Sequence, residues 1–135
     1  MTSASTMSET IRVVIVDDSA TIRTMLGALF NEIPTISVCG MAENGSEGVN
    51  LVLAERPDVV VMDMQMPLLN GLDAARQILE HWPDARIIMN SAFGDQALID
   101  EASSVGIADY ITKDQRPSAL VRAVLAAGTT SGGAR

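Results

Sequence analysis

Aromatic residues are scarce in this chain: two Phe, one Tyr and one Trp make up 3% of 135 residues. A core built on large rings is thereby excluded, leaving Val, Ile, Leu, Ala and eight Met, a balance suited to layered α/β packing. The single cysteine, Cys39, excludes an intramolecular disulfide framework and, set in the apolar stretch ISVCGMA, reads as a reduced core thiol. Basic residues are few, nine Lys and Arg against 17 Asp and Glu, and they form no cluster. At a net charge of −8 the chain alone is not expected to bind nucleic acid. No apolar run is long enough to span a membrane, and the opening MTSASTMSET lacks the apolar core of a signal peptide. A cytoplasmic setting is the expectation.

What is present is a chain long enough for one domain with a real core and too short for two. Composition sets that domain at residues 11–127, with a flexible N-terminal tail over 1–10. The Gly/Ser/Thr-rich end, 128–135, reads as a flexible tail or a truncated linker. Within the domain, the short apolar runs RVVIV, ISVCGM, DVVVM, RIIMN and ADYI alternate with segments of helical spacing. Ile22, Met25, Leu26, Leu29 and Phe30 share one helix face that Ser19 can cap. The apolar set Val49, Leu51, Val52 and Leu53 marks a second helix. A third runs from about Leu72 to Glu80, a fourth begins near Asp95, and a fifth opens at Pro117, a residue suited to a first helical turn. Runs such as VVVM are apolar on both faces, as a parallel strand covered from both sides requires. The fold class is therefore α/β: a doubly wound five-stranded parallel sheet with helices on both faces.

Ligands of such sheets bind beyond the carboxyl ends of the strands, where chain order reverses. The strand ends here are Asp17 and Asp18, then Asp63, then Asn90 and Ser91, then Thr112 and Lys113; only the second strand ends without polar residues. With a strand order of 2-1-3-4-5, Asp17, Asp18 and Asp63 meet at the switch point, with Ser91 and Lys113 opposite. Three carboxylates form a hard oxygen site suited to Mg²⁺, and a lysine with a hydroxyl suits phosphoryl oxygens. Each residue also has a plain structural reading: Asp18 as a helix cap, Asp63 as a solvated strand end, Ser91 as a turn residue, Lys113 as a surface charge. Their convergence on one edge favours a carboxylate that receives a phosphoryl group.

The motifs VVIVDDS, VVVMDMQMPLLNG, RIIMNSA and ADYITK, in that order, resemble the response regulator receiver domain over roughly Ile11 to Ala127. The resemblance implies a flavodoxin-like fold in which Asp63 takes a phosphoryl group from a sensor histidine kinase or a histidine phosphotransfer protein. It further implies that Asp17, Asp18, Asp63 and the backbone carbonyl of Gln65 bind Mg²⁺, and that Ser91 and Lys113 contact the phosphoryl group. Tyr110 corresponds to the aromatic switch residue, whose turning inward would remodel the surface of the fourth helix, fifth strand and fifth helix to control an output partner. Gln65 and Phe93 match the variable pair that tunes dephosphorylation, with apolar Phe93 expected to slow it. Such a protein is a signalling switch, stand-alone or part of a DNA-binding regulator. It is no enzyme beyond self-directed phosphotransfer and autodephosphorylation, and a phosphorylation-dependent homodimer is compatible with it. Two positions depart from the family pattern: Asp114 stands where proline is common, and Asn90 where an aliphatic residue is usual.

Two other function classes compete. A Mg²⁺-dependent aspartyl phosphohydrolase needs a second Asp two residues after the nucleophile, and Gln65 occupies that position. A phosphorylation-independent interaction module is expected to have lost Asp17, Asp63 or Lys113, and all are retained. His81 reads as a helix-end residue facing the dipole, Trp82 as a packed helix stop, the alternating Met62, Met64 and Met66 as packing residues, and ENGSEG as a turn.

Overall fold

The computed structural model describes residues 10–133. Five strands and five helices alternate: β1 Ile11–Val16, α1 Ala20–Asn31, β2 Ile36–Ala42, α2 Gly45–Glu55, β3 Val59–Asp63, α3 Gly71–His81, β4 Ile87–Ser91, α4 Gln96–Val105, β5 Asp109–Thr112 and α5 Pro117–Gly133. The strands form one parallel sheet of order β2-β1-β3-β4-β5, so the order in which strands are added across the sheet reverses between β1 and β3. The doubly wound arrangement read from the apolar runs is the one observed.

Alternation along the central strands splits the core into two layers. Val14, Val16, Val60, Met62, Ile87 and Met89 face α2 and α3, while Val13, Ile15, Val59, Val61 and Ile88 face α1 and α5. Every residue of β3 and β4 is buried, which is why those stretches carry almost no polar side chain before their last positions. α4 is held much less: Ala102 is its only buried residue.

Local signals place the helices largely where expected. The Ser19 hydroxyl accepts from the Ile22 N–H at 3.2 Å and caps α1, and the Asn70 side chain caps α3 at the Asp73 N–H. His81 ends α3 with Nδ1 2.9 Å from the Gln77 carbonyl, and Trp82 caps that helix and packs on the core. Two readings need correction. ENGSEG is no turn: Asn44 accepts from the Glu47 N–H at 2.8 Å and starts α2 at Gly45. Its glycines look like breakers in sequence, yet a Cβ on Gly45 would lie 2.0 Å from the Leu69 carbonyl oxygen. Glycine is needed there because the β3–α3 loop is pressed against the start of α2. The second difference is at the far end, where α5 continues through residues 128–133 in place of the loose tail that composition suggested. The tail expected at the other end falls, for residues 1–9, outside the described residues.

Candidate functional site

Asp17 leaves β1 with each of its polar groups engaged. Its N–H donates to the Ala42 carbonyl at 3.1 Å, Oδ1 accepts from the Ser19 N–H at 2.9 Å, and Oδ2 accepts from Lys113 Nζ at 2.9 Å. Asp63 closes β3, and its Oδ1 accepts from Lys113 Nζ at 3.1 Å and from the Gln65 N–H at 3.4 Å. Both carboxylates are almost fully buried, at 2% and 3% exposure. Asp18 is exposed and has no hydrogen-bond partner among the described residues. Lys113, the chain's only lysine, was expected opposite these acids but lies between two of them, because its side chain is long enough to reach from β5 across the edge of β3.

The electrostatics follow from that count. Burial raises the Asp63 carboxyl to about 6, with the Asp17 charge adding to the rise and the hydrogen bond from Lys113 opposing it. Burial alone would pull the Lys113 ammonium down, but hydrogen bonds to Asp17 and Asp63 and their charges outweigh it and hold it above its ordinary value. The two groups retain protons more strongly for different reasons: Asp63 chiefly because it is buried, Lys113 because it is shared between two carboxylates.

Asp17, Asp18 and Asp63 each offer an oxygen within 4.8 Å of the others. A hard divalent cation accepts such oxygen donors, and the net negative charge left after Lys113 is what such an ion would cancel. The donor set therefore fits Mg²⁺, answering why two aspartates stand side by side at the end of β1.

Ser91 ends β4 fully buried, its Oγ accepting from the Phe93 N–H at 3.0 Å and its carbonyl from the Lys113 N–H at 2.7 Å. An oxygen engaged as acceptor leaves its own proton free to donate. Tyr110 packs against the core from β5, and its hydroxyl donates to the Phe93 carbonyl at 2.6 Å, so the β4–α4 loop is tied to β5. Phe93 itself is 49% exposed. The two departures acquire partners. Asn90 Nδ2 donates to the Ile111 carbonyl at 3.0 Å, and Asp114 Oδ1 accepts from the Thr112 hydroxyl at 2.6 Å, bracing the β5–α5 turn without proline.

One participant was not anticipated from sequence. Arg23, on the first turns of α1, donates from Nη1 to the Asp17 carbonyl at 2.7 Å. Trp82, by contrast, stacks under the Arg56 guanidinium at 4.9 Å beyond the C-terminus of α3, at the opposite sheet edge, and cannot report directly on the acidic cluster.

A family model described as the response regulator receiver domain matches residues 13–125. The chemotaxis protein CheY of Thermotoga maritima is 42% identical over 113 residues, covering 84% of this chain and 93% of that protein. A protein-glutamate methylesterase/protein-glutamine glutaminase of Pyrococcus abyssi is 44% identical over 106 residues, 76% of this chain but 28% of that much longer protein. Among solved structures, a chain of the CheX-CheY-BeF3-Mg+2 complex from Borrelia burgdorferi superposes with a TM-score of 0.81 at 27% identity, covering 86% of this chain and 87% of that one.

Proposed function

The chain belongs to the response regulator receiver family, and from that premise we propose that Asp63 accepts a phosphoryl group from a phosphohistidine donor in a Mg²⁺-dependent transfer. The observation that carries this reading is the buried Asp63 carboxylate with Lys113 Nζ at 3.1 Å and two further carboxylates within reach of a common cation. A carboxylate oxygen of Asp63 forms the new O–P bond as the N–P bond of the donor breaks, and the electron pair of that bond returns to the donor imidazole. Asp17, Asp18, Asp63 and the Gln65 carbonyl would hold Mg²⁺, which would supply charge neutralisation for the phosphoryl oxygens. Lys113 is already poised at the reacting oxygen and shifts its hydrogen bonds to the product, and Ser91 donates its free hydroxyl proton to it. The donor is a sensor histidine kinase or a histidine phosphotransfer protein. The chain acts as a switch and not as an enzyme on other molecules, and Gln65 supplies no second carboxyl for a phosphohydrolase.

The output runs through α4, β5 and α5. Withdrawal of the Ser91 hydroxyl toward a phosphoryl group releases the Phe93 N–H, and the Tyr110 hydroxyl transmits the loop shift to β5. α4, with one buried residue, has the weakest hold on the core and moves first. Apolar Phe93 offers no group to orient an attacking water, so Phe93→Glu should shorten the phosphorylated lifetime measured by decay of the intact-mass adduct.

The founding test is intact mass after incubation with acetyl phosphate, with and without Mg²⁺. One phosphoryl group gained only with Mg²⁺, and none in Asp63→Asn, is the expected result. An adduct on Asp63→Asn, or none on folded wild type that binds beryllofluoride no better than the variant, would overturn the proposal.

A further inference from the structure

Arg23 is in an unfavourable place for a cation. Its N–H bonds the Ser19 carbonyl at 3.0 Å within the opening turn of α1, where the helix dipole presents positive charge. No acidic residue sits in that first turn to offset it. The side chain is partly buried, and among the described residues it makes no ion pair with any of the nearby carboxylates. Its contact is with a backbone oxygen, the Asp17 carbonyl, at 2.7 Å. A residue whose purpose was to neutralise the acidic cluster would pair with a carboxylate.

The peptide carrying that carbonyl joins Asp17 to Asp18. Peptide units are planar, so fixing the oxygen also fixes the Asp18 nitrogen and Cα. Asp17 is otherwise held by its own N–H and by both carboxylate oxygens, whereas Asp18 has no hydrogen bond of its own. The direction in which Asp18 offers its carboxylate is therefore inherited from the peptide before it. We infer that Arg23 is a positioning residue for the divalent cation: by holding the Asp17 carbonyl it orients the Asp17–Asp18 peptide, and thereby aims Asp18 at the ion. This rests on the reading of Asp17, Asp18 and Asp63 as a cation site.

A bare charge and a positioning role predict opposite results. As a charge alone, the guanidinium repels any dication, and its removal would tighten Mg²⁺ and Ca²⁺ together. As a positioning group, its removal harms the ion with the stricter geometry. Mg²⁺ demands near-octahedral ligands at short distance, while Ca²⁺ tolerates irregular coordination.

The experiment is calorimetric titration of the unphosphorylated full chain with MgCl₂ and with CaCl₂ at fixed ionic strength. It compares wild type, Arg23→Met and Arg23→Lys, each checked for folding by circular dichroism. Arg23→Met should weaken Mg²⁺ binding about tenfold, the lower range for loss of a group that orients a ligand, and leave Ca²⁺ much less changed. Equal tightening of both ions, equal weakening of both, or no change overturns the inference. Should Arg23→Met not fold, Arg23→Lys carries the test alone: it keeps the charge, and its shorter side chain should still reduce the preference for Mg²⁺. An unchanged preference in the lysine variant overturns the inference. Wild type that binds neither ion would instead remove the cation site itself, a failure distinct from that of Arg23.

Discussion

The two edges of the sheet carry similar charged residues and put them to opposite uses. At the amino edge Arg12 donates to the Glu55 carboxylate at 2.8 Å and to the Glu55 carbonyl at 2.9 Å, and its own N–H donates to Asp58 at 2.8 Å. Those bonds close the end of α2 onto β1, and the Arg12–Glu55 pair is about 40% exposed on each side. At the carboxyl edge Lys113 faces two aspartates almost wholly removed from water, with a third beside them. The amino edge is balanced and wet, and it contributes stability. The carboxyl edge is left negative with two of its three acids buried, an arrangement that costs stability and that the proposed cation and phosphoryl group would relieve. The difference lies in burial and in charge count, and residue type alone does not reveal it.

Deleting the cation at each edge breaks the comparison most sharply. In EDTA near pH 8, Lys113→Met should cost about 3 kcal/mol by urea denaturation, because it leaves buried carboxylates unpaired. Arg12→Met, at a half-exposed pair, should cost about 1 kcal/mol. Comparable losses would mean that the carboxyl edge is not the strained one.

Removing an acid should have the reverse effect. Asp63 holds its proton up to about 6, above its ordinary 3.8. A carboxyl with a higher pKa folded than unfolded subtracts from stability above its folded pKa, and the deficit shrinks as pH falls toward the unfolded value. Metal-free wild type should thus gain stability relative to Asp63→Asn as pH falls from about 6.5 to about 4, and the variant should be about 2–3 kcal/mol more stable above that window. Saturating Mg²⁺ should narrow that gap. A wild type that instead loses stability against the variant on acidification would show that Lys113 dominates Asp63.

How much of this was legible in the sequence follows the same physics. Stretches apolar on both faces, such as Val59–Met62, can only be covered parallel strands, and polar residues at their ends can only lie at one edge, so the fold and the gathering of Asp17, Asp63, Ser91 and Lys113 could be read directly. A strand end, however, locates a Cα and says little of where a long side chain reaches, so the bridging position of Lys113 was not readable. Arg23 was hidden because its partner is a backbone oxygen, which leaves no pattern of complementary charge. Gly45 was misread because the close approach that demands glycine comes from Leu69, distant in the chain.

The smallest effect expected is at the amino edge, where Arg56 ends α2 in the left-handed region, φ 48° and ψ 58°. A side chain there strains the backbone by about 1 kcal/mol relative to glycine. Its guanidinium over Trp82 returns a similar amount, about 0.5–1 kcal/mol at an exposed site. Arg56→Ala forfeits the stacking and keeps the strain, so it should destabilise by about 1 kcal/mol. Arg56→Gly forfeits the stacking but relieves the strain and should be close to neutral. The gap between the two variants in urea midpoint measures the strain directly, and neither should alter Mg²⁺ binding, because nothing at this edge touches the acidic cluster. A coupling between them would mean that the two edges are linked through the sheet, and the division of labour drawn above would fail.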